Sequence, residues 1–183
     1  FLVFLCGFAL FRGRARVVYT TIASFVFYGR WNPVYLPLLL GLSLYAYYFS
    51  LRPKLSPTAF RWVLAGALLP LFIFKYAGFV AANAAWILGA PKIAVGGWAL
   101  PLGISFITFT VISYLVDVRK GTAEAEKGFW RFFLYLSFFP HLIAGPIMRA
   151  KELLPQLKHL VFKPKLVKLG ALLFAVGMVK KMV

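Results

Sequence analysis

Ser137–Arg149 reads SFFPHLIAGPIMR, a run in which a histidine, a Gly-Pro pair and an arginine interrupt otherwise apolar residues. Pro140 and Pro146 flank His141. Each proline removes a backbone donor and presses its ring against the preceding turn, so no regular helix passes through the histidine. In water such a break is ordinary. In hydrocarbon it survives only where protein buries the freed carbonyls or a watery cavity solvates them.

The composition places the stretch in hydrocarbon. Of 183 residues, 62% are hydrophobic and 19% aromatic, and the mean hydropathy is +0.85. Soluble domains are about 45–50% apolar. The aromatic load (20 Phe, 9 Tyr, 5 Trp) suits a bundle of membrane helices with interfacial anchors. A β-barrel would alternate apolar and polar residues, which this chain does not. The fold class expected is therefore an all-α, multi-pass integral membrane protein. Residues 1–183 are expected to form one partial membrane domain, incomplete at both ends, because Phe1 and Val183 both lie inside apolar runs.

The net charge of +17 does not mark a nucleic-acid binder. The basic residues lie in short connections between apolar runs, the pattern that holds loops in the cytoplasm. Arg12, Arg14 and Arg16 form one such loop, and Arg52, Lys54 and Arg61 surround a second with Pro53 and Pro57. Asp117, Arg119 and Lys120 close a third, after a helix expected over Trp98–Val116. Between the loops, Val17–Tyr28, Pro33–Leu51 and Trp62–Leu88 are read as crossings. Lys75 is expected to snorkel to an interface, with a helix break near Gly78.

Parity decides the reading of Phe129–Ile147. The loop before it carries Glu124 and Glu126, and the segment after it carries Arg149, Lys151, Lys158, Lys163, Lys165 and Lys168 against Glu152. A full crossing would put that cluster outside, against the charge bias. The chain is therefore expected to enter and return, turning near Pro140–Gly145. Leu153, Leu154, Leu157, Leu160 and Val161 recur at helical spacing and read as a short amphipathic helix with Pro155 in its first turn. His159 sits on it as a solvated or interfacial side chain. Leu169–Val179 is too short to span at about 1.5 Å per residue.

The chemistry available is narrow. Cys6 is alone, which excludes an intrachain disulfide, and the two histidines offer no metal pattern. Ser105 lacks the glycine two residues on that a nucleophile elbow requires. Asp117 and Arg119 either pair or are solvated, and the solvated reading is preferred.

Two long motifs carry a family likeness. Leu100–Gly121 reads LPLGISFITFTVISYLVDVRKG and Ser137–Leu157 reads SFFPHLIAGPIMRAKELLPQL. With Phe27–Pro33 (FYGRWNP), Phe74–Gly78 (FKYAG) and the closing GMVKKMV, they resemble the membrane-bound O-acyltransferase (MBOAT) family, on the side of its alginate O-acetyltransferases. The likeness runs from about Ser24 to Val183. It implies tilted helices around a thinned centre, where a tunnel joins an acyl donor in the cytoplasm to an acceptor outside.

By the same resemblance the donor is acetyl-CoA or an acylated carrier, used as substrate rather than as a bound cofactor. The location it implies is a bacterial inner membrane, and the partners are the lipid bilayer and periplasmic polysaccharide-acetylation proteins. The family's essential histidine is expected after Val183, so the piece alone should be inactive. Within the chain, His141, Gly145, Pro146 and Arg149 are the candidates for lining the channel or orienting substrate. Two roles stand for His141: a channel group, or a structural hydrogen bond to a carbonyl freed by a neighbouring proline. A transporter or channel component with a midplane cavity is the rival class, and a scaffold without chemistry is a third.

Overall fold

The computed structural model describes residues 2–52, 54–89, 99–142, 148–158 and 160–182. Every regular element among them is a helix. Buried residues from Tyr28 to Leu157 join into one hydrophobic core.

Helix α1 (Leu2–Leu10) turns at Phe11 and Arg12 into α2 (Gly13–Trp31). The arginine loop expected there is mostly helix: α2 begins at Gly13 and takes Arg14 and Arg16 into its first turns. Arg16 is buried rather than solvated. Its Nε donates to the Phe11 carbonyl at 2.8 Å, and Nη1 donates to the Leu160 carbonyl at 2.8 Å. The unpaired carbonyls at the end of α1 supply the reason, since a guanidinium can satisfy them where water does not reach.

Asn32 ends α2 and accepts the Val34 N–H on its side chain, opening a short turn at Pro33–Tyr35 and then α3 (Leu36–Ser50). Ser56 caps α4 (Pro57–Leu71), with Pro57 at the first helical position. A single wide turn, Phe72–Tyr76, joins α4 to α5 (Ala77–Ile87). The break expected near Gly78 is thus a distortion within one continuous helix, Pro57–Ile87. Pro70 accounts for it, because it leaves the Gly66 carbonyl without its N–H and the ladder re-forms with wider spacing. That helix has 31 residues, about 46 Å, and among the described residues it is the one long and apolar enough to cross a membrane.

Helix α6 (Ile104–Arg119) starts later than Trp98, after Gly103 adopts a left-handed conformation at φ 63°. Helix α7 (Phe129–Ser137) lies at the centre: Phe132 to Ser137 are all buried, around the whole circumference. It packs on α2, α3, α6 and α9. The helix stops at Phe138, whose ψ of 99° leaves the helical region, and one further turn, α8 (Phe139–Leu142), follows. Pro140 explains the stop, since it cannot donate back into α7.

The chain then doubles back. Tyr135 of α7 donates its hydroxyl to the Met148 carbonyl at 3.1 Å. Helix α9 (Ala150–Lys158) packs along α7 through Ala150, Leu153, Leu154 and Leu157. Its last turn therefore lies beside the start of α7. The return expected from the charge parity is present in the path of the chain, while its turning residues, 143–147, lie outside the described residues. Two details differ from expectation. Helix α9 ends before Leu160 and Val161, and Pro155 stands within it rather than in its first turn.

Helix α10 (Pro164–Met182) is longer than its apolar run. It takes in Lys165, Lys168, Lys180 and Lys181, so its 19 residues reach about 28 Å. None of them is buried.

Candidate functional site

The broken segment after α7 is held on three sides. Phe139 N–H donates to Ser24 Oγ of α2 at 3.5 Å. The Phe139 ring meets Phe4 edge-on at 4.8 Å and Phe27 at 5.1 Å. Leu142, almost fully buried, sits against Gly103 at the start of α6. A Cβ on Gly103 would lie 3.1 Å from the Leu142 carbonyl oxygen. Only a glycine combines that approach with a positive φ. Small residues and aromatic rings thus fix the break between α7 and α8 as a corner inside the bundle.

His141 belongs to this corner by its backbone, within α8; its side chain, together with Gly145 and Pro146, lies outside the described residues. Arg149 is exposed, and its carbonyl accepts the N–H groups of Glu152 (2.9 Å) and Leu153 (3.1 Å), so its backbone opens α9. Its guanidinium has no hydrogen bond among the described residues.

At the other end of the hairpin a polar cluster forms that composition and spacing did not single out. Glu126, named above only as a loop acid, is 5% exposed. It accepts Arg131 Nη2 at 2.7 Å, Arg131 Nε at 3.1 Å and the Gly128 N–H at 2.9 Å. Its own N–H donates to the Tyr114 hydroxyl at 2.9 Å, and Tyr114 in turn donates to Ser50 Oγ at 3.3 Å. Tyr47 closes the same loop onto α3 through the Lys127 carbonyl at 2.6 Å. Burial alone would raise the Glu126 carboxyl. The hydrogen bonds from Arg131 and Gly128, with the charges of Arg131 and Lys158, outweigh it and hold the group below the usual carboxylate range. The signal in the sequence was slight: an acid two residues before a glycine and five before an arginine, where a helix begins.

Asp117 is buried, not solvated. Thr122 donates its hydroxyl to the Asp117 carbonyl and to Oδ1, while Oδ2 has no partner among the described residues. Arg119 does not pair with it; its guanidinium lies over the Phe60 ring at 4.3 Å. The two side chains leave α6 on different faces, which is why proximity in sequence did not become an ion pair. Lys75, exposed on the wide turn of the long helix, reaches Ser105 Oγ at 3.5 Å.

Two cavities open beside the hairpin's polar end. The larger, about 460 Å³, lies between the 122–127 loop and α9. The smaller, about 370 Å³, is lined by Arg12, Arg16 and Lys158 among others, and shares Lys158 with the first. Among the described residues no three His, Cys, Asp or Glu side chains are grouped to hold a metal ion.

Comparison with known proteins agrees with the resemblance read from the two long motifs. The chain resembles the membrane-bound O-acyltransferase family, on its alginate O-acetylase side. It is 35% identical to the probable alginate O-acetylase AlgI of Pseudomonas aeruginosa over 98% of this chain and 36% of that protein. The AlgI of Azotobacter vinelandii is 32% identical over 98% of this chain and 38% of its own length. The peptidoglycan O-acetyltransferase of Helicobacter pylori is 29% identical over 91% of this chain and 38% of that protein. The chain therefore spans little more than a third of the length of these relatives. No family model matches it, and no solved structure does.

Proposed function

We propose that the chain is part of a multi-pass membrane O-acyltransferase that moves acetyl groups toward an extracytoplasmic polysaccharide such as alginate. The observation that carries this reading is the doubled-back segment between α7 and α9, in a chain similar over nearly its whole length to alginate O-acetylases. Non-helical backbone at membrane depth needs a protein wall or water, and acyl transfer needs a polar passage through lipid.

The outer surface supports a membrane setting. Trp62, Trp86 and Trp130 are 74%, 83% and 65% exposed. Only 17% of the most apolar window of Pro57–Ile87 is buried, the reverse of a core helix in a water-soluble protein. Buried hydroxyls donate to carbonyls of their own helices, Thr20 to Arg16, Ser43 to Leu39 and Ser137 to Phe133, so the helices carry these polar groups at no cost in unmet hydrogen bonds.

In this reading the α7–α9 hairpin is re-entrant, its open end facing the cytoplasm with Glu126 and Lys158. The donor, acetyl-CoA or an acylated carrier, approaches from that side, and periplasmic partner proteins complete the modification. His141, at the apex, orients the donor or the acceptor. Arg149 stands where the chain leaves the apex. Acyl transfer to a hydroxyl requires a group to take its proton and donors for the developing oxyanion, and the essential histidine expected after Val183 suits the first task at neutral pH. The test is complementation of a bacterium lacking its alginate O-acetylase with the full-length protein, reading acetyl content of the secreted polysaccharide. Unacetylated polymer from a well-expressed protein would end the proposal.

A further inference from the structure

We infer that the cavity between the 122–127 loop and α9 binds a phosphate group. It is lined by Lys127, Arg131, Lys151 and Lys158, with Glu124 and Glu126 as the acids. Glu126 is already neutralised, its carboxylate gripped by Arg131 at 2.7 Å, and that leaves three lysines facing Glu124. Arg131 is 42% exposed and Nη1, which donates to nothing among the described residues, remains for a ligand.

A basic patch means little in a chain of net charge +17. This one differs in its construction. Lys127 and Arg131 come from one arm of the hairpin and Lys151 and Lys158 from the other, so tertiary folding alone brings the four cations around one concavity. The floor is rigid, because the loop is tied to α6 through Tyr114 and to α3 through Tyr47. At about 460 Å³ the cavity is of the size that holds small ligands, and low-dielectric walls focus the field of the lysines on whatever enters. Lys158 continues the positive surface into the neighbouring cavity with Arg12, room for a second phosphate.

Such a group has two sources: the diphosphate of a soluble acyl donor, or the headgroup of an anionic lipid. The first rests on the acyltransferase reading above; the second does not. The test uses the full-length protein in nanodiscs of phosphatidylcholine, titrated with inorganic pyrophosphate and with coenzyme A, and in nanodiscs containing phosphatidylglycerol, with retained lipid read by native mass spectrometry. Lys151 and Lys158 are exposed, so Lys151→Ala with Lys158→Ala leaves the fold intact. Coenzyme A binding weakened about tenfold by that pair, restored by arginine at both positions and unchanged by Lys165→Ala with Lys168→Ala, establishes the site for a soluble donor. Absent soluble binding, loss of retained phosphatidylglycerol in the same pair assigns it to lipid. If neither probe responds to the pair, the inference is wrong. A protein that binds coenzyme A through these lysines yet transfers no acetyl group keeps the site and loses the acyltransferase reading. Normal transfer with binding indifferent to the lysines does the opposite.

Discussion

Gly103 sets the corner that carries His141, and its replacement tests whether that corner is held as described. Two glycines are compared. Gly103 has φ 63° and Gly121 has φ 73°, so alanine at either pays for the left-handed backbone, about 1–2 kcal/mol. At Gly121 a Cβ meets nothing within 4 Å. At Gly103 it meets the Leu142 carbonyl oxygen at 3.1 Å and the Leu142 side chain at 3.3 Å. The carbonyl belongs to a turn clamped by Ser24 and two phenylalanine rings, so it cannot yield cheaply, and overpacking of this kind costs about 1–3 kcal/mol more. Gly121→Ala should therefore lower stability by about 1–2 kcal/mol and Gly103→Ala by roughly 2–5 kcal/mol. The two melting curves should separate, with Gly103→Ala melting clearly earlier than Gly121→Ala. The assay is thermal unfolding of the full-length protein in detergent, with acetyl transfer measured beside it. Transfer should fall with Gly103→Ala and not with Gly121→Ala. Equal melting shifts would show that Leu142 does not press on Gly103, and the corner would need another account.

Leu157→Ala, which empties a nearly fully buried position between α9 and α7, should cost about 2–5 kcal/mol, read as lost yield and an earlier melt. His141→Ala in the full-length protein should lower acetyl transfer by roughly a hundredfold while expression holds; unchanged transfer would remove the histidine from the passage. Because the Glu126 carboxyl is depressed in the fold, its stabilising contribution is complete above its ordinary value of 4.5 and drains away as pH falls toward the lowered one. Melting curves taken from neutral pH downward should show that decline, and Glu126→Gln should flatten it. Arg16→Met should loosen the α1–α2 corner from the segment after α9 by removing both of its carbonyl contacts, visible as faster hydrogen exchange around Leu160.

The amino-acid order alone established the helical class and the break near Pro140, because each follows from a local rule: apolar run length and the missing proline N–H. Charge parity led to the expectation of a return, and the chain's path does double back along α7. Where a reading depended on what stands opposite a residue, the sequence was mute or misleading. Arg16 looked like a loop cation and is a buried clamp, because the carbonyls it satisfies belong to residues 11 and 160. Asp117 looked solvated and is buried. Glu126 drew no notice, yet it anchors the hairpin's open end, since Arg131, Tyr114 and Ser50 converge on that loop only once α3, α6 and α7 have packed. Periodicity reports which face of a helix is apolar. It does not report which helix will cover that face, and the half-buried ion pair, the glycine contact and the lysine-lined cavity are all products of that second choice.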